Sequence, residues 1–221
     1  GHNDPEANVL ILTCDQLILN EERFKAAVNQ GFAFTTLHKQ IVALALKPTR
    51  PETEYGYIQV SEERKGHLCF KAKSYTKSPE LDFAKVFMES GEFYWYTGML
   101  IGYCKTFLSA FQQLIPDFSN IMKKGTEKPD KETIDILYSY CPNLSIDKGL
   151  LENPQNIWVL PCNFGWARIN SWQSIYENSP KDQDENVIAR SNTLLYDSHQ
   201  NIIVMPKGKL AVIQNLNGYL I

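Results

Sequence analysis

The segment Ile41-Val-Ala-Leu-Ala-Leu46 decides the fold class, because six consecutive apolar residues predict a β-strand buried on both faces. A similar run, Asn8-Val-Leu-Ile-Leu-Thr13, predicts a first buried strand upstream. Between the two, Asn20 and the acids that follow it predict the start of a helix that runs through Val28 and closes at Gly31. A strand, a helix and a strand in this order predict a βαβ unit with a right-handed crossover. The chain is therefore assigned to the α/β class.

The composition of the 221 residues is typical of a globular domain. Hydrophobic residues make up 43% and charged residues 21%, which argues against extensive disorder. The net charge of −3 and the absence of a polybasic run argue against a nucleic-acid-binding module. Every apolar run is far shorter than the roughly 20 residues that a membrane-spanning helix requires. The sequence therefore predicts no nucleic-acid partner and no membrane segment.

The cysteines are isolated along the chain and never show Cys-x-x-Cys spacing, which argues against a zinc site and against a disulfide framework. Free thiols are typical of a reducing compartment, so we expect a cytoplasmic protein. The five residues are Cys14, Cys69, Cys104, Cys141 and Cys162.

Further strands and helices are predicted along the middle of the chain. Residues 57–60 and 68–75 alternate apolar and polar side chains, which predicts two more exposed strands. Ser78-Pro79 predicts the start of a helix, with serine as its cap and proline at its first position, and Gly91 its end. The apolar residues 93–103 then predict another strand.

Three regions follow from these patterns. Residues 1–178 contain the α/β domain, the breaker-rich residues 179–190 predict a linker, and short apolar segments within 191–221 predict the start of a small β domain whose strands are joined by tight turns. Because a buried strand begins close to residue 1 and an apolar segment reaches residue 221, we expect a fragment that lacks upstream strands.

Four segments carry a family likeness that covers nearly the whole chain. They are Pro51-Glu-Thr-Glu-Tyr-Gly-Tyr-Ile58, Glu92-Phe-Tyr-Trp-Tyr-Thr-Gly-Met99, Cys141-Pro-Asn-Leu-Ser-Ile-Asp147 and Asn163-Phe-Gly-Trp166. In order and spacing they resemble the mannose-1-phosphate guanylyltransferases, also called GDP-mannose pyrophosphorylases. The resemblance implies a Rossmann-like nucleotidyltransferase core, present in part and with a mixed sheet, followed by a small C-terminal β domain.

The resemblance also implies a reaction. Enzymes of this family join GTP to mannose 1-phosphate, release pyrophosphate and form GDP-mannose. The sugar phosphate attacks the α-phosphorus in line, so Mg²⁺ and basic groups must neutralise the phosphate charge. The implied ligands are GTP, mannose 1-phosphate and GDP-mannose, and the resemblance leaves open whether the chain forms a homo-oligomer.

Several positions match the family's site residues. The resemblance implies substrate binding at Tyr55, Gly56, Thr97, Gly98 and Asp147. It also places a metal-binding carboxylate at Asp15, just after the first strand, where α/β sheets bind their ligands.

Other family positions carry a different side chain here. The Gly-rich phosphate-binding signature of the family is missing from these residues, and a lysine that faces phosphate and a second metal-binding aspartate are also replaced. A guanidinium repels a cation, and losses of this kind each lower catalytic rates by orders of magnitude. We therefore expect impaired catalysis. The altered positions are Glu54, Lys77, Ser78, Tyr96 and Arg168.

Structural roles stand beside these functional interpretations. Asp15 is also typical of a turn or cap, the aromatic residues 94–96 of strand packing, and Asp147 of a helix N-cap. Arg168 can pair with Asp15, bind a phosphate oxyanion or form a surface ion pair. For the whole protein, an active guanylyltransferase completed by upstream residues and a non-catalytic subunit that binds sugar nucleotides remain alternatives to the impaired enzyme.

Overall fold

The computed structural model describes residue 4 and residues 6–66, 68–114, 131–139, 143 and 145–221. The described residues form two compact units. The first comprises residues 1–14 and 18–165, and the second comprises residues 15–17 and 166–221. Of the four family-like segments, residues 51–58 and 92–99 lie within the first unit, and residues 141–147 are only partly described. The fourth segment, residues 163–166, crosses the boundary, because Trp166 begins the main part of the second unit.

A mixed six-stranded sheet forms the centre of the first unit, in the order β1-β6-β3-β7-β5-β4. All six residues of β3 are buried, as predicted, and β3 pairs in parallel with β7 and antiparallel with β6. The α/β class and the mixed sheet are therefore confirmed. The strands are β1 (Asn8–Ile11), β3 (Ile41–Leu46), β4 (Gly56–Lys65), β5 (Cys69–Lys77), β6 (Phe93–Tyr103) and β7 (Ile157–Cys162).

The first strand differs from the prediction of a fully buried parallel strand. β1 covers four residues, is partly exposed, and pairs antiparallel with β6, which separates it from β3. Since β1 and β3 both run antiparallel to β6, they are parallel to each other. The strand, helix and strand are therefore present in the predicted order, but another strand lies between the two that form the βαβ unit.

Five helices of the first unit are described: α1 (Glu21–His38), α2 (Leu81–Ser90), α3 (Cys104–Leu114), α4 (Lys131–Ser139) and α5 (Ile146–Leu151). Asn20 caps α1 as predicted, and its side chain accepts a 2.9 Å hydrogen bond from the backbone N–H of Arg23. The predicted end at Gly31 is wrong. A Cβ at Gly31 would lie 2.5 Å from Ile101 on β6, so this glycine permits close packing of the helix on the sheet rather than ending it.

The segment that precedes α2 also differs from its prediction. Glu80, and not Ser78, is the N-cap residue, and the helix begins two residues after Pro79. Ser78 adopts a left-handed backbone with φ of 48° directly after β5. The predicted end of the helix at Gly91 is confirmed, where φ is 75°.

The second unit contains short paired strands, of which those beyond residue 186 pair in parallel. β2 (Gln16–Ile18) pairs with β8 (Trp166–Arg168), and α6 (Trp172–Asn178) follows with Ser171 as its cap. β9 (Val187–Ala189) then pairs in parallel with β11 (Ile202–Val204), and β10 (Asn192–Tyr196) with β12 (Leu210–Gln214). The first residues of these partners are 15 and 18 positions apart, which is the arrangement of successive coils of a β-solenoid.

The C-terminal strands are thus present, but their pairing is parallel, whereas tight turns between neighbours would have produced antiparallel hairpins. The predicted linker over residues 179–190 contains β9, and Asn186 in the same segment is buried. In the structure, the solenoid therefore begins within the segment that composition alone marks as a linker.

Candidate functional site

The residues that the resemblance singles out in the first unit converge where β4, β5 and β6 meet. Gly56 begins β4 and stands in register with both Tyr96 of β6 and Lys77 of β5. A Cβ at Gly56 would lie 2.6 Å from the hydroxyl of Tyr75, a residue that the sequence analysis did not select. Glycine is therefore required at this position by the tyrosine ring that covers it.

The ring of Tyr75 leads to a second tyrosine and a carboxylate. Tyr75 and Tyr96 make an edge-to-face contact with centroids 5.9 Å apart. The buried hydroxyl of Tyr96 donates a 2.8 Å hydrogen bond to Oδ1 of Asp147. Burial, and then the neighbouring Asp147 charge, hold the pKa of Tyr96 well above its usual value, so the phenol remains the donor at neutral pH.

Asp147 is placed by the short helix α5. It lies in the first turn, one residue after the helix begins, so the alternative in which it is the N-cap residue does not hold. A negative charge in the first turn is favourable because the backbone N–H groups there point toward it. Part of the family-like segment to which it belongs, at residues 141, 142 and 144, lies outside the described residues.

Tyr55 contributes to a second contact beside this cluster. Its ring is buried and meets the indole of Trp95 edge to face, with centroids 5.3 Å apart. The guanidinium of Arg50 lies 5.6 Å from the same indole and forms a 2.9 Å ion pair with Glu52. Arg50 and Glu52 were not selected from sequence, and their signal there is weak because neither belongs to a spaced motif.

The other predicted substrate residues of the first unit lie within strand β6. Thr97 and Gly98 form a bulge in β6, since Leu44 pairs with Met99 and the next residue of β3 pairs with Tyr96. The hydroxyl of Thr97 is buried and donates a 2.7 Å hydrogen bond to the Leu44 carbonyl. Gly98 has a φ of 79°, which the bulge requires.

Three of the altered positions near this cluster lie at the surface, whereas the fourth, Tyr96, is buried. Glu54 is exposed, and its backbone N–H donates to the carboxylate of Glu52. Lys77 and Ser78 are exposed at the end of β5, and the Ser78 N–H donates to the Tyr55 carbonyl.

Asp15 and Arg168 belong to the second unit and are joined there. The Nε of Arg168 donates a 2.6 Å charge-assisted hydrogen bond to Oδ2 of Asp15, with side-chain exposures of 41% and 26%. The backbone reinforces the contact, since the Ile169 N–H donates to the Asp15 carbonyl at 2.7 Å. Beside the pair, the indole of Trp166 donates to Gln16. Of the roles open to Arg168 from sequence, the structure selects pairing with Asp15.

These residues do not fit the Mg²⁺ ion that the resemblance implies. Magnesium is held by carboxylate oxygens in near-octahedral geometry, and a guanidinium can neither ligate a cation nor lose its charge near neutral pH. In the part of the chain that the structure describes, no three His, Cys, Asp or Glu side chains are grouped so as to hold a metal. At Asp15 and Arg168 the second unit therefore offers a pair of opposite charges where the resemblance implies two carboxylates.

Two thiols in the first unit have strongly raised pKa values. Burial raises the pKa of both Cys69 and Cys162 to about 12, so neither is a reactive thiolate at neutral pH. The four described cysteines are free, and Cys141 lies outside the described residues. Among the described helices, none is long and apolar enough to cross a membrane.

The fold defines the class of protein first. The chain superposes on a mannose-1-phosphate geranyltransferase of Thermus thermophilus with a TM-score of 0.78 at 22% identity, over 96% of this chain and 61% of that one. It also matches the mannose-6-phosphate isomerase of Helicobacter pylori with a TM-score of 0.60 at 21% identity, over 74% and 65% of the two chains. These likenesses establish a shared α/β fold.

Sequence then gives the family. Residues 2–185 match the model of the nucleotidyl transferase family, so the chain belongs to that family. It is 31% identical over 215 residues to a mannose-1-phosphate guanylyltransferase of Salmonella muenchen, across 95% of this chain and 45% of that relative. A relative of the same name from Escherichia coli K12 is 27% identical, across 99% and 49%. The resemblance seen in the sequence is confirmed, and the chain spans about half the length of these curated relatives.

Proposed function

We propose that this chain is a homologue of the mannose-1-phosphate guanylyltransferases that retains their fold and does not carry out efficient nucleotidyl transfer as it stands. The observation that carries the proposal is the 2.6 Å contact between Arg168 and Asp15. The family reaction builds negative charge on a transferring phosphoryl group, and a cation held by carboxylates stabilises that charge. Here the matching carboxylate is already neutralised by an arginine of the same chain.

The energetic argument is about competition for Asp15. A magnesium ion would have to displace the guanidinium and then remain close to it, because Arg168 reaches Asp15 from the neighbouring strand β8. Two positive charges beside one carboxylate repel each other, and the ion pair with arginine weakens the attraction of Asp15 for a metal ion. No catalytic step is therefore assigned to a metal at Asp15.

The first unit, taken by itself, supports sugar binding better than turnover. Tyr55, Gly56 and Asp147 keep the family's residue types. The Asp147 carboxylate, however, already accepts a hydrogen bond from the hydroxyl of the buried Tyr96. The ligands that we propose are those of the family, GTP, mannose 1-phosphate or GDP-mannose. Metal-independent binding of GDP-mannose would favour the alternative of a regulatory subunit that binds sugar nucleotides.

The decisive experiment measures metal binding and turnover separately. The chain should bind Mn²⁺ no better than millimolar by electron paramagnetic resonance, and should form no GDP-mannose from GTP, mannose 1-phosphate and Mg²⁺. Arg168→Asp, which restores a second carboxylate, should tighten Mn²⁺ binding at least tenfold, whereas Arg190→Asp at an exposed site of the same unit should not.

Two results would overturn the proposal. One is Mg²⁺-dependent formation of GDP-mannose by the unchanged chain that is lost in Asp15→Asn, which would support the active-enzyme alternative. The other is tight Mn²⁺ binding to the unchanged chain that disappears in the same variant. The assays should be repeated on the full reading frame, because the enzyme alternative depends on upstream residues.

A further inference from the structure

A cleft of about 560 Å³ lies within the second unit and has no part in the proposed function. It is formed by α6, the segment that precedes β9 and the solenoid turns around Gln200 and Gly218. Its lining includes three aromatic and three polar side chains: Trp172, Tyr176, Tyr219, Lys181, Glu185 and Gln200. The volume falls in the range of small-molecule sites.

Two of the aromatic rings are open to solvent. Trp172 is 50% exposed at the first position of α6, and Tyr219 is 57% exposed at the other side of the cleft. Large aromatic side chains that remain exposed around a concavity mark binding surfaces more often than chance, because leaving them in water forgoes their hydrophobic free energy. The third ring, Tyr176, is covered on one face by the ammonium of Lys181, 4.6 Å from its centroid.

The polar groups of the cleft are already positioned. Gln200 Nε2 donates a 2.7 Å hydrogen bond to Oε2 of Glu185, and the Tyr176 hydroxyl donates to the Glu185 carbonyl at 3.0 Å. Both Glu185 and Gln200 have left-handed backbones, with φ of 61° and 56°, and so direct their side chains from tight turns. A carboxylate and an amide fixed beside each other present an acceptor and a donor at low entropic cost.

We propose that this cleft binds a neutral pyranose ring, either a free sugar or the end of a glycan. The apolar C–H face of a pyranose packs on an aromatic ring, and its neighbouring hydroxyls exchange hydrogen bonds with a carboxylate and an amide. Glu185 and Lys181 carry opposite charges, so the cleft does not select for charge. A nucleotide phosphate is disfavoured, since Lys181 already covers Tyr176 and the Glu185 carboxylate would repel a phosphate.

The test uses three probes, methyl α-D-mannopyranoside, methyl α-D-glucopyranoside and methyl β-D-galactopyranoside, with the 221-residue chain. Saturation-transfer NMR should detect at least one of them, and titration should give a millimolar dissociation constant. Trp172→Ala should weaken binding at least tenfold and Trp172→Phe less, because a smaller ring remains. Tyr196→Ala, at a tyrosine 53% exposed on β10 and outside the cleft, should bind as the parent does. Circular dichroism of each variant checks that it is folded.

Three outcomes contradict the proposal. The first is no saturation transfer to any probe, and the second is equal binding by the Trp172→Ala and Tyr196→Ala variants. In the third, a sugar signal survives Trp172→Ala but is lost in Asp147→Asn, which would assign the sugar to the site of the proposed function instead. The inference does not depend on that function, because Trp172 and Asp147 belong to different units.

Discussion

The hydroxyl of Tyr96 and Oδ1 of Asp147 are joined by a 2.8 Å hydrogen bond across 51 residues of sequence. The bond ties the middle of β6 to the first turn of α5, a six-residue helix that is too short to be stable alone. The phenol is buried and the carboxylate partly so. One contact thus fixes both the helix and the orientation of the carboxylate that the resemblance assigns to the sugar site.

Replacing Tyr96 by Phe removes this bond and little else. We expect the free energy of unfolding to fall by about 1–2 kcal/mol, because Asp147 loses a charge-assisted partner while the ring remains packed. Urea denaturation followed by far-UV circular dichroism measures the change. Tyr94→Phe on the same strand is the matched control and should cost less. Equal effects of the two variants would mean that the hydrogen bond contributes nothing measurable.

Gly56→Ala should be destabilising through the neighbouring tyrosine. The new methyl group would lie 2.6–3.0 Å from the Tyr75 ring, which can retreat only by disturbing its contact with Tyr96. We expect a loss of about 1–3 kcal/mol, as for other overpacked sites. Tyr75→Val should lower stability alone but relieve most of the Gly56→Ala effect in the double variant. Simple additivity in this double-mutant cycle would refute the steric explanation.

The sequence predicts the strands well where the apolar signal is strong, as in β3 and β6. It fails where a local signal has two meanings. Gly31 looks like a helix end, but it lies inside α1, where the lack of a side chain lets the helix pack closely against Ile101. The parallel stacking of the solenoid is equally hidden, since its strands pair with partners 15–18 positions away rather than with their immediate neighbours.

The sequence likewise predicts only part of the candidate site. Tyr96 and Asp147 are selected by resemblance, but their contact depends on how α5 packs, which short-range patterns do not encode. Tyr75 was missed because it is the diagonal neighbour of Gly56, two positions from the paired Lys77, and this relation is readable only once the strand register is known. The pairing of Asp15 with Arg168 was one of several open roles, and only the alignment of β2 with β8 decides it.

The buried thiol of Cys69 should make stability depend on alkaline pH. Its pKa is about 12 in the folded chain, raised by burial and then by Cys162, against an ordinary value of 9.0. Above pH 9 the unfolded chain therefore loses this proton while the folded chain keeps it, so the free energy of unfolding falls as pH rises toward 12. The slope contributed by one such thiol approaches about 1.4 kcal/mol per pH unit.

Denaturation at pH 8 and pH 10 tests this effect in the parent and in Cys69→Ala. The parent should lose about 1 kcal/mol more than the variant over this interval, whatever the variant's stability at pH 8. Cys14→Ala is the control, because that thiol is exposed in the folded chain and its removal should leave the parental slope unchanged. A Cys69→Ala slope equal to the parent's would show that the thiol ionises alike in both states.

Asn201 should be the most sensitive residue of the solenoid. It is fully buried, its amide donates to the Asn186 side chain at 2.9 Å and to the Leu216 carbonyl at 2.8 Å, and its oxygen accepts from the Tyr219 N–H at 2.9 Å. Asn201→Ala leaves a carbonyl and an N–H of neighbouring coils without these partners, at a cost of about 3 kcal/mol or more. The coils should then open locally rather than the whole chain unfolding.

Hydrogen exchange measured by mass spectrometry resolves where that cost appears. In Asn201→Ala, protection should drop at least a hundredfold in peptides that cover residues 199–221 and should change little in peptides from β3 and β7. Asn201→Asp keeps the acceptor for Tyr219 but loses both amide donors. Its loss of protection should be smaller than that of Asn201→Ala if the carboxyl is neutral, and larger if the buried carboxylate stays ionised. Asn192→Ala, at an exposed position of β10, should match the parent. Unchanged protection in Asn201→Ala would mean that solenoid stability comes from the apolar interior of Ile203, Ala211 and Ile213 rather than from the asparagine contacts.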